Sequence, residues 1–430
     1  MTAAGKPPEG QIAPQPWMRA PETQAVMAAL MAEGDEARFV GGCVRDSILK
    51  RAVKDIDIAT RRPPDAVMAL LERAGIRAIP TGIEHGTVTA VIGKAHFEIT
   101  TLRHDVETDG RRARVAFTDD WEADALRRDF TINALSMTQD GFIHDPCEGL
   151  ADLGRGVVRF VGDPVQRIEE DVLRLLRFFR FYAHYGAPPP HVESLAACRK
   201  LAHLLPRLSG ERVRGELIRI LLAPDPAGVL LLMQGERVLP HILPEAKEFG
   251  RLRQMAWFED RGIKQEGLTP DALRRLASLI ETDADGAAAI AQRLRLSNEQ
   301  TERLARLAKP GARPDPTLDS RARRRLLYHL GAPTLRDRAL IEWAARRTVD
   351  PRAPDAAQGP WLDLLADIRA WQAPEPPLKG RDVLALGVPP GPQVGALLDA
   401  ALAWWEEGDF QADRGAALDY LRQLASNSNI

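Results

Sequence analysis

The sequence predicts an α+β protein, with a small mixed α/β head followed by an all-helical remainder. Between Ala37 and about Pro146, short β-branched runs alternate with turn residues, as half-buried strands do. After GLADLGRG (149–156) those runs stop, and apolar residues recur at helical spacing between proline breaks. The chain has 430 residues, more than one hydrophobic core usually organises, so several compact parts are expected.

Residues 1–20 are rich in Pro, Gly and Ala and are expected to form a mobile tail. The head, 21–155, holds four candidate strands (ARFVGG, DIDIAT, TVTAVIG and HFEITTL) and two candidate helices (VRDSILK and PDAVMALLERAG). A neck, 156–225, is expected to open with one helix from Pro164 to Tyr185. Ile168, Val172, Leu175, Leu176 and Phe179 repeat along it at helical spacing. Asp163 stands where its cap belongs, and Arg167 is left open between a structural role and a phosphate contact. A second neck helix covers Gly210–Leu222. The body, 226–372, and a C-terminal tail, 373–430, continue with helices at Pro270–Ile280, Asn298–Ala308 and Pro392–Glu406.

A net charge of -2 excludes a protein coated in basic residues, although it permits a local basic groove. Cys43, Cys147 and Cys198 form no CxxC pair and no zinc spacing, so they read as buried reduced thiols. No run is long and apolar enough to cross a bilayer, and the first residues lack the apolar stretch of a signal peptide. A cytoplasmic location with no membrane partner is the expectation.

Asp55-Ile56-Asp57-Ile58 is the most informative short stretch. Alternate side chains of a strand share a face, so the two carboxylates point together, about 7 Å apart at Cα, while the isoleucines enter the core. Such a pair can converge on magnesium, which favours oxygen ligands and keeps waters and phosphate oxygens as partners. The plain alternative is a solvated strand face. Glu98, in HFEITTL, faces away from Phe97 and Ile99 and offers a third carboxylate; its alternative is a surface residue on an edge strand.

GGCVRD follows a strand and opens a helix. Gly41 and Gly42 let backbone approach a phosphate closely, and Arg45 in the first helical turn can grip a triphosphate oxygen. The spacing is that of neither a P-loop nor a dinucleotide fold. In LRRDFTINAL, Arg128 can neutralise phosphate, while Asp129 and Asn133 can bond ribose hydroxyls. There the alternative is a helix start capped by Asp129.

GGCVRD followed by KDIDIAT resembles the signature of the polymerase-beta-like superfamily, in the branch of CCA-adding enzymes and bacterial poly(A) polymerases. Three later segments agree in order: LRRDFTINALSM, the helix motif EEDVLRLLRFFR, and the neck motif LSGERVRGEL with Ser209, Arg212 and Glu216. The resemblance implies a polymerase-beta-like head that transfers nucleotides from CTP and ATP to the 3′ end of tRNA. Mg2+ would sit on Asp55 and Asp57, with Glu98 assisting.

It also assigns base selection to Asp171 and Arg174, three apart and hence on one helical side, with Arg177 and Arg180 continuing toward the triphosphate. A carboxylate accepts from the exocyclic amino group of cytosine or adenine, and an arginine donates to a ring nitrogen. An ordinary ion pair within the helix is the alternative. The charged segment Arg103–Leu126 is a candidate moving loop; relatives that add only CC tend to lack an intact version, so its presence favours complete CCA addition, with A-only addition as the alternative. RARRRLLYHL (321–330) and AARR (344–347) are candidate contacts to tRNA phosphates, with a solvated helix face as the alternative. Poly(A) addition and a non-catalytic RNA-binding relative are the rival readings. No protein partner is implied.

Overall fold

The computed structural model describes residues 7–107, 114–263, 268–308, 314–350 and 358–427. Two compact units emerge, 1–246 with 293–295, and 247–292 with 296–430.

The first unit is built on an eight-stranded sheet. In chain order its strands are β1 (Gly10–Gln11), β2 (Ala37–Val40), β3 (Ile56–Thr60), β4 (Arg77–Gly82), β5 (Thr87–Ile92) and β6 (Ala95–Thr101). A separate two-stranded ribbon, β7 (Arg103–Glu107) and β8 (Arg114–Phe117), precedes β9 (Ser136–Met137) and β10 (Phe142–His144). Across the sheet the order is β1-β10-β9-β2-β3-β6-β5-β4. Only the β3–β6 pair is parallel among these neighbours.

Period-two patterning explains which face is buried. Val88, Ile99, Ile58, Phe39 and Met137 form one cross-strand row and are all at most 1% exposed. That face is covered by α1 (Pro21–Leu30) and α3 (Pro64–Arg73), whose Val26, Met27, Leu30, Leu70 and Leu71 are buried. Both helices begin with proline at their first positions, where its missing N–H costs nothing. Each such buried side chain contributes about 1.5–3 kcal/mol. The opposite face carries the next row: Thr89, Glu98 and Asp57 stand level on β5, β6 and β3.

Residues 7–20 correct the expectation of a mobile tail over 1–20. Gly10 and Gln11 pair with Ile143 and Phe142, Met18 is fully buried, and Trp17 meets Phe39 edge-on at 4.8 Å. Proline-rich composition hid an edge strand too short to show a pattern.

The expected single neck helix is two. After α2 (Gly42–Ile48), α4 (Trp121–Leu126) and α5 (Gly149–Arg155) in the head, the neck opens with α6 (Pro164–Glu170) and α7 (Leu173–Tyr185). Between them Asp171 is extended, at φ −149° and ψ 105°. Its Oδ1 accepts from the Leu173 N–H at 3.1 Å, the kind of side-chain-to-backbone bond that makes aspartate compete with helix. The apolar repeat persists across the break, so periodicity alone could not find it. Asp163 caps α6 as expected, accepting from Gln166 at 2.8 Å. Helix α7 packs against α9 (Gly210–Leu221) and α10 (Pro226–Gly235), with α8 (Val192–Leu201) against α6.

The second unit is helical throughout its described residues. Phe258, Leu335, Leu340, Trp343 and Trp361 form one core, with the two indoles stacked 5.9 Å apart. Beside it lies a buried ionic network: Glu259 pairs with Arg274 and Arg275, and Asp337 with Arg274 and Arg303. The arginines predicted to meet tRNA are mostly committed within this unit. Arg323 pairs with Asp367, Arg324 with Asp409 and Arg346 with Asp315, and Arg325 donates to the Glu406 carbonyl.

Candidate active site

On the open sheet face, above Asp57 and Glu98, lies a cleft of about 800 Å³ bounded entirely by residues of the first unit. Nine arginines and four carboxylates line it. The parallel register sets Asp57 directly beside Glu98, and β6 is an interior strand, so the edge-strand alternative for Glu98 fails. Asp55 lies one residue ahead of β3; it is exposed and outside the lining, though its charge still reaches Asp57. Burial, then the Glu98 carboxylate, pushes Asp57 up to about 6, against the opposing pull of Arg128 and with a further push from Asp55.

That crowding of like charges is what a dication relieves. Among the described residues, no group of three or more His, Cys, Asp or Glu is disposed to hold a metal. Two carboxylates completed by water and phosphate oxygens suit magnesium; a closed protein cage would suit calcium or zinc.

The glycine turn behaves as its sequence implies. Gly41 has φ +68°, and a Cβ there would stand 3.4 Å from Arg128 Nη1. Arg45, expected at the triphosphate, is only 6% exposed and already occupied. It donates to Asn133 Oδ1 at 2.6 Å, to Asp46 at 3.0 Å and to Tyr185 Oη at 2.7 Å. Arg45 also lines the cleft, so its guanidinium both holds Asn133 and borders the space expected for the triphosphate. Asn133 in turn donates to Asp129 Oδ1 at 3.0 Å, and Asp129 Oδ2 pairs with Arg177 at 2.5 Å. Burial works against the Asp129 charge, but Arg177 and Asn133 more than offset it and hold the carboxyl below its usual range. Asp129 does not cap a helix of any length; the turn it precedes, Thr131–Asn133, is a single 3-10 turn.

Asp171 and Arg174 both line the cleft, yet their side chains take other partners, while the Arg174 N–H donates to the Asp171 carbonyl at 2.9 Å. Arg174 bonds Glu170 at 2.5 Å and the Arg167 carbonyl at 3.1 Å. Both Asp171 oxygens accept from Arg212 Nη2 of α9, at 2.9 and 2.8 Å. The intrahelical alternative is therefore overturned, as is the picture of both residues on one continuous helix. Arg180 pairs with Glu216 at 2.7 Å. Arg167 turns inward to the Val161 carbonyl and Glu170, which settles its structural role.

Three positions escaped the sequence reading. Asp124, 3% exposed, anchors Arg127 at 2.8 Å and Arg128 at 3.0 Å. Its spacing of three and four residues from them on a helix was the available signal. Asp46 and Tyr185 lock Arg45; Tyr185 joins from 140 residues away, which no local pattern reveals.

The expected moving loop is a structured element at its ends: β7 and β8 pair, and α4 follows. Residues 108–113 lie outside the described residues. A larger cavity, about 990 Å³, opens beyond Arg128 on the same sheet face. Its Asp120 and Asp145 serve as backbone caps, and it lacks the Asp57–Glu98 pair, so the chemistry belongs to the smaller cleft.

Residues 37–159 match the family described as "Poly A polymerase head domain", and 191–249 match "Probable RNA and SrmB- binding site of polymerase A". Head and cleft together define a nucleotidyltransferase. The chain is 34% identical over 407 residues to the mitochondrial CCA tRNA nucleotidyltransferase 1 of Mus musculus, covering 91% of this chain and 87% of that protein. Against the CCA-adding enzyme of Limosilactobacillus fermentum it is 33% identical over 396 residues, covering 90% and 93%. The chain belongs to the CCA tRNA nucleotidyltransferase family. Its fold is similar to the crystal structure of the Bacillus stearothermophilus CCA-adding enzyme in complex with CTP. There the TM-score is 0.75 at 26% identity, over 95% of this chain and all of that one.

Proposed function

We propose that this protein adds C, C and A to the 3′ end of tRNA, taking CTP and ATP as substrates and no nucleic-acid template. The observation that carries this reading is the cleft above Asp57 and Glu98. Paired carboxylates stand at its floor, arginine is dense on its walls, and Asp171 and Arg174 face it from the neck.

Asp55 and Asp57 would hold Mg2+, with Glu98 alongside. Bound there, magnesium supplies charge neutralisation for the phosphate oxygens and the attacking hydroxyl. The tRNA 3′-hydroxyl attacks the α-phosphorus, and pyrophosphate leaves. Arg128, Arg177 and Arg180 offset the negative charge of the triphosphate. Asn133 has a second amide hydrogen beyond the one given to Asp129, and that donor suits a ribose hydroxyl. Asp171 accepts from the exocyclic amino group, and Arg174 donates to the ring nitrogen.

Among the described residues no helix is long and apolar enough to cross a membrane. For location we propose the cytoplasm, since all three cysteines are free and buried.

The test offers labelled CTP and ATP, separately and together, to tRNA lacking CCA, tRNA lacking only the final A, and unstructured RNA. Addition of CC from CTP, completion by ATP, and arrest after three nucleotides are expected. Long A tails on unstructured RNA would overturn the assignment in favour of poly(A) synthesis. No metal-dependent incorporation at all would favour an RNA-binding relative.

A further inference from the structure

The selector carboxylate is held from outside its own helix. Asp171 sits in the break between α6 and α7, with its carbonyl accepting from the Arg174 N–H at 2.9 Å while its side chain turns toward α9. A carboxylate offers about four lone-pair sites. Oδ1 spends two, on the Leu173 N–H at 3.1 Å and on Arg212 Nη2 at 2.9 Å. Oδ2 spends one, again on Arg212 Nη2, at 2.8 Å. One acceptor site remains, on Oδ2, beside the cleft.

Arg212 is well placed to enforce this. It lies in the first turn of α9, a helix whose Leu217, Ile220 and Leu221 are at most 1% exposed. One turn further along, Glu216 of α9 meets Arg180 of α7 at 2.7 Å, so the two helices are tied at a second point. The guanidinium therefore reaches Asp171 from a fixed platform.

We infer that Arg212 is a specificity-determining positioning residue, which orients the Asp171 carboxylate so that its single remaining acceptor site meets an amino group on the incoming base. This rests on the reading that Asp171 selects the base. Cytosine and adenine present that amino group; uracil and guanine present a carbonyl oxygen, which meets the carboxylate as acceptor against acceptor. With Arg212 gone, only the Leu173 N–H still holds Oδ1, so the carboxylate can swing about that one bond and the aimed site on Oδ2 is lost.

The test measures kcat/KM for CTP and for UTP on tRNA lacking CCA, in wild type, Arg212→Ala, Arg212→Lys, Asp171→Ala and the double variant. In Arg212→Ala the CTP/UTP ratio should fall about tenfold to a hundredfold, the range for a lost hydrogen bond to a charged group. Arg212→Lys should recover part of it, and the double variant should be no worse than Asp171→Ala. A purely structural Arg212 would lower the melting temperature and slow both nucleotides equally. An unchanged ratio in Arg212→Ala, with a fallen ratio in Asp171→Ala, overturns the inference while leaving Asp171 as selector. An unchanged ratio in Asp171→Ala removes the selector reading and this inference with it.

Discussion

Burial and the neighbouring Glu98 carboxylate raise Asp57 to about 6, and this has two measurable consequences of opposite sign. For chemistry, the ionised form is the one that can bind a cation. The affinity for magnesium should therefore weaken as pH drops through about 6, read as a rising magnesium concentration for half-maximal activity. For stability, a carboxyl whose folded value exceeds its unfolded value binds more protons when folded. Stability is then lost as pH rises between the unfolded value and about 6, and the penalty is complete above that. Asp57→Asn should abolish incorporation, by about a thousandfold or more, while raising the melting temperature above pH 6 by a few degrees, an advantage that fades toward pH 4. A variant both inactive and destabilised at neutral pH would contradict this account of the site.

The site residues divide in how far the sequence displayed them. Asp57 and Glu98 were visible because strand alternation sorts polar from apolar side chains, and the register then brought them level. The protein partners of Arg45 were not visible, because a helix-start arginine beside glycines suits either a phosphate or a protein acceptor. Only the fold reveals that Asn133 and Tyr185 converge on it.

At the level of elements, the ribbon β7–β8 is seated on a tight turn. Gly86 has φ +79°, and a Cβ there would lie 2.8 Å from a ring carbon of Phe117 on β8. Arg103, at the other strand, donates to the His85 carbonyl beside it. Gly86→Ala should cost about 1–2 kcal/mol through backbone strain and the displaced ring, read as a lowered urea midpoint with an unchanged slope. No loss would mean that the ribbon can reseat freely. The central strands β2, β3, β5 and β6 were legible in the sequence, whereas β1, β4 and β7 to β10 were not. The break at Asp171 was not, because Val172, Leu175 and Leu176 keep the helical rhythm through it, and the local competition by an aspartate side chain leaves no trace in apolar spacing.

For the molecule as a whole, the two units distribute different duties. In the second, Glu259, Arg274, Arg275 and Asp337 are buried to within a few per cent of full enclosure. Removing one partner strands the others, at about 3–5 kcal/mol. Asp337→Ala should therefore lower the denaturant midpoint markedly, yet leave CTP affinity of the folded protein unchanged, as measured by equilibrium binding. A shifted CTP affinity would show that the network shapes the cleft. The helical character of this unit was apparent from the sequence, but its use of arginine was not. Dense basic runs such as RARRR look alike whether they face phosphate or a neighbouring carboxylate, and here Asp367 and Asp409 claim two of them.

Segregated charge also governs how the molecule behaves in bulk. With a net charge of -2 and an isoelectric point near 6.5, it should pass for a mildly acidic protein on an anion exchanger. Its cleft, with nine guanidinium groups against four carboxylates, should nevertheless hold it on immobilised heparin and release it to free pyrophosphate. A polyanion would thus be drawn to this mouth of a nearly neutral molecule, so its orientation is biased before any base is read.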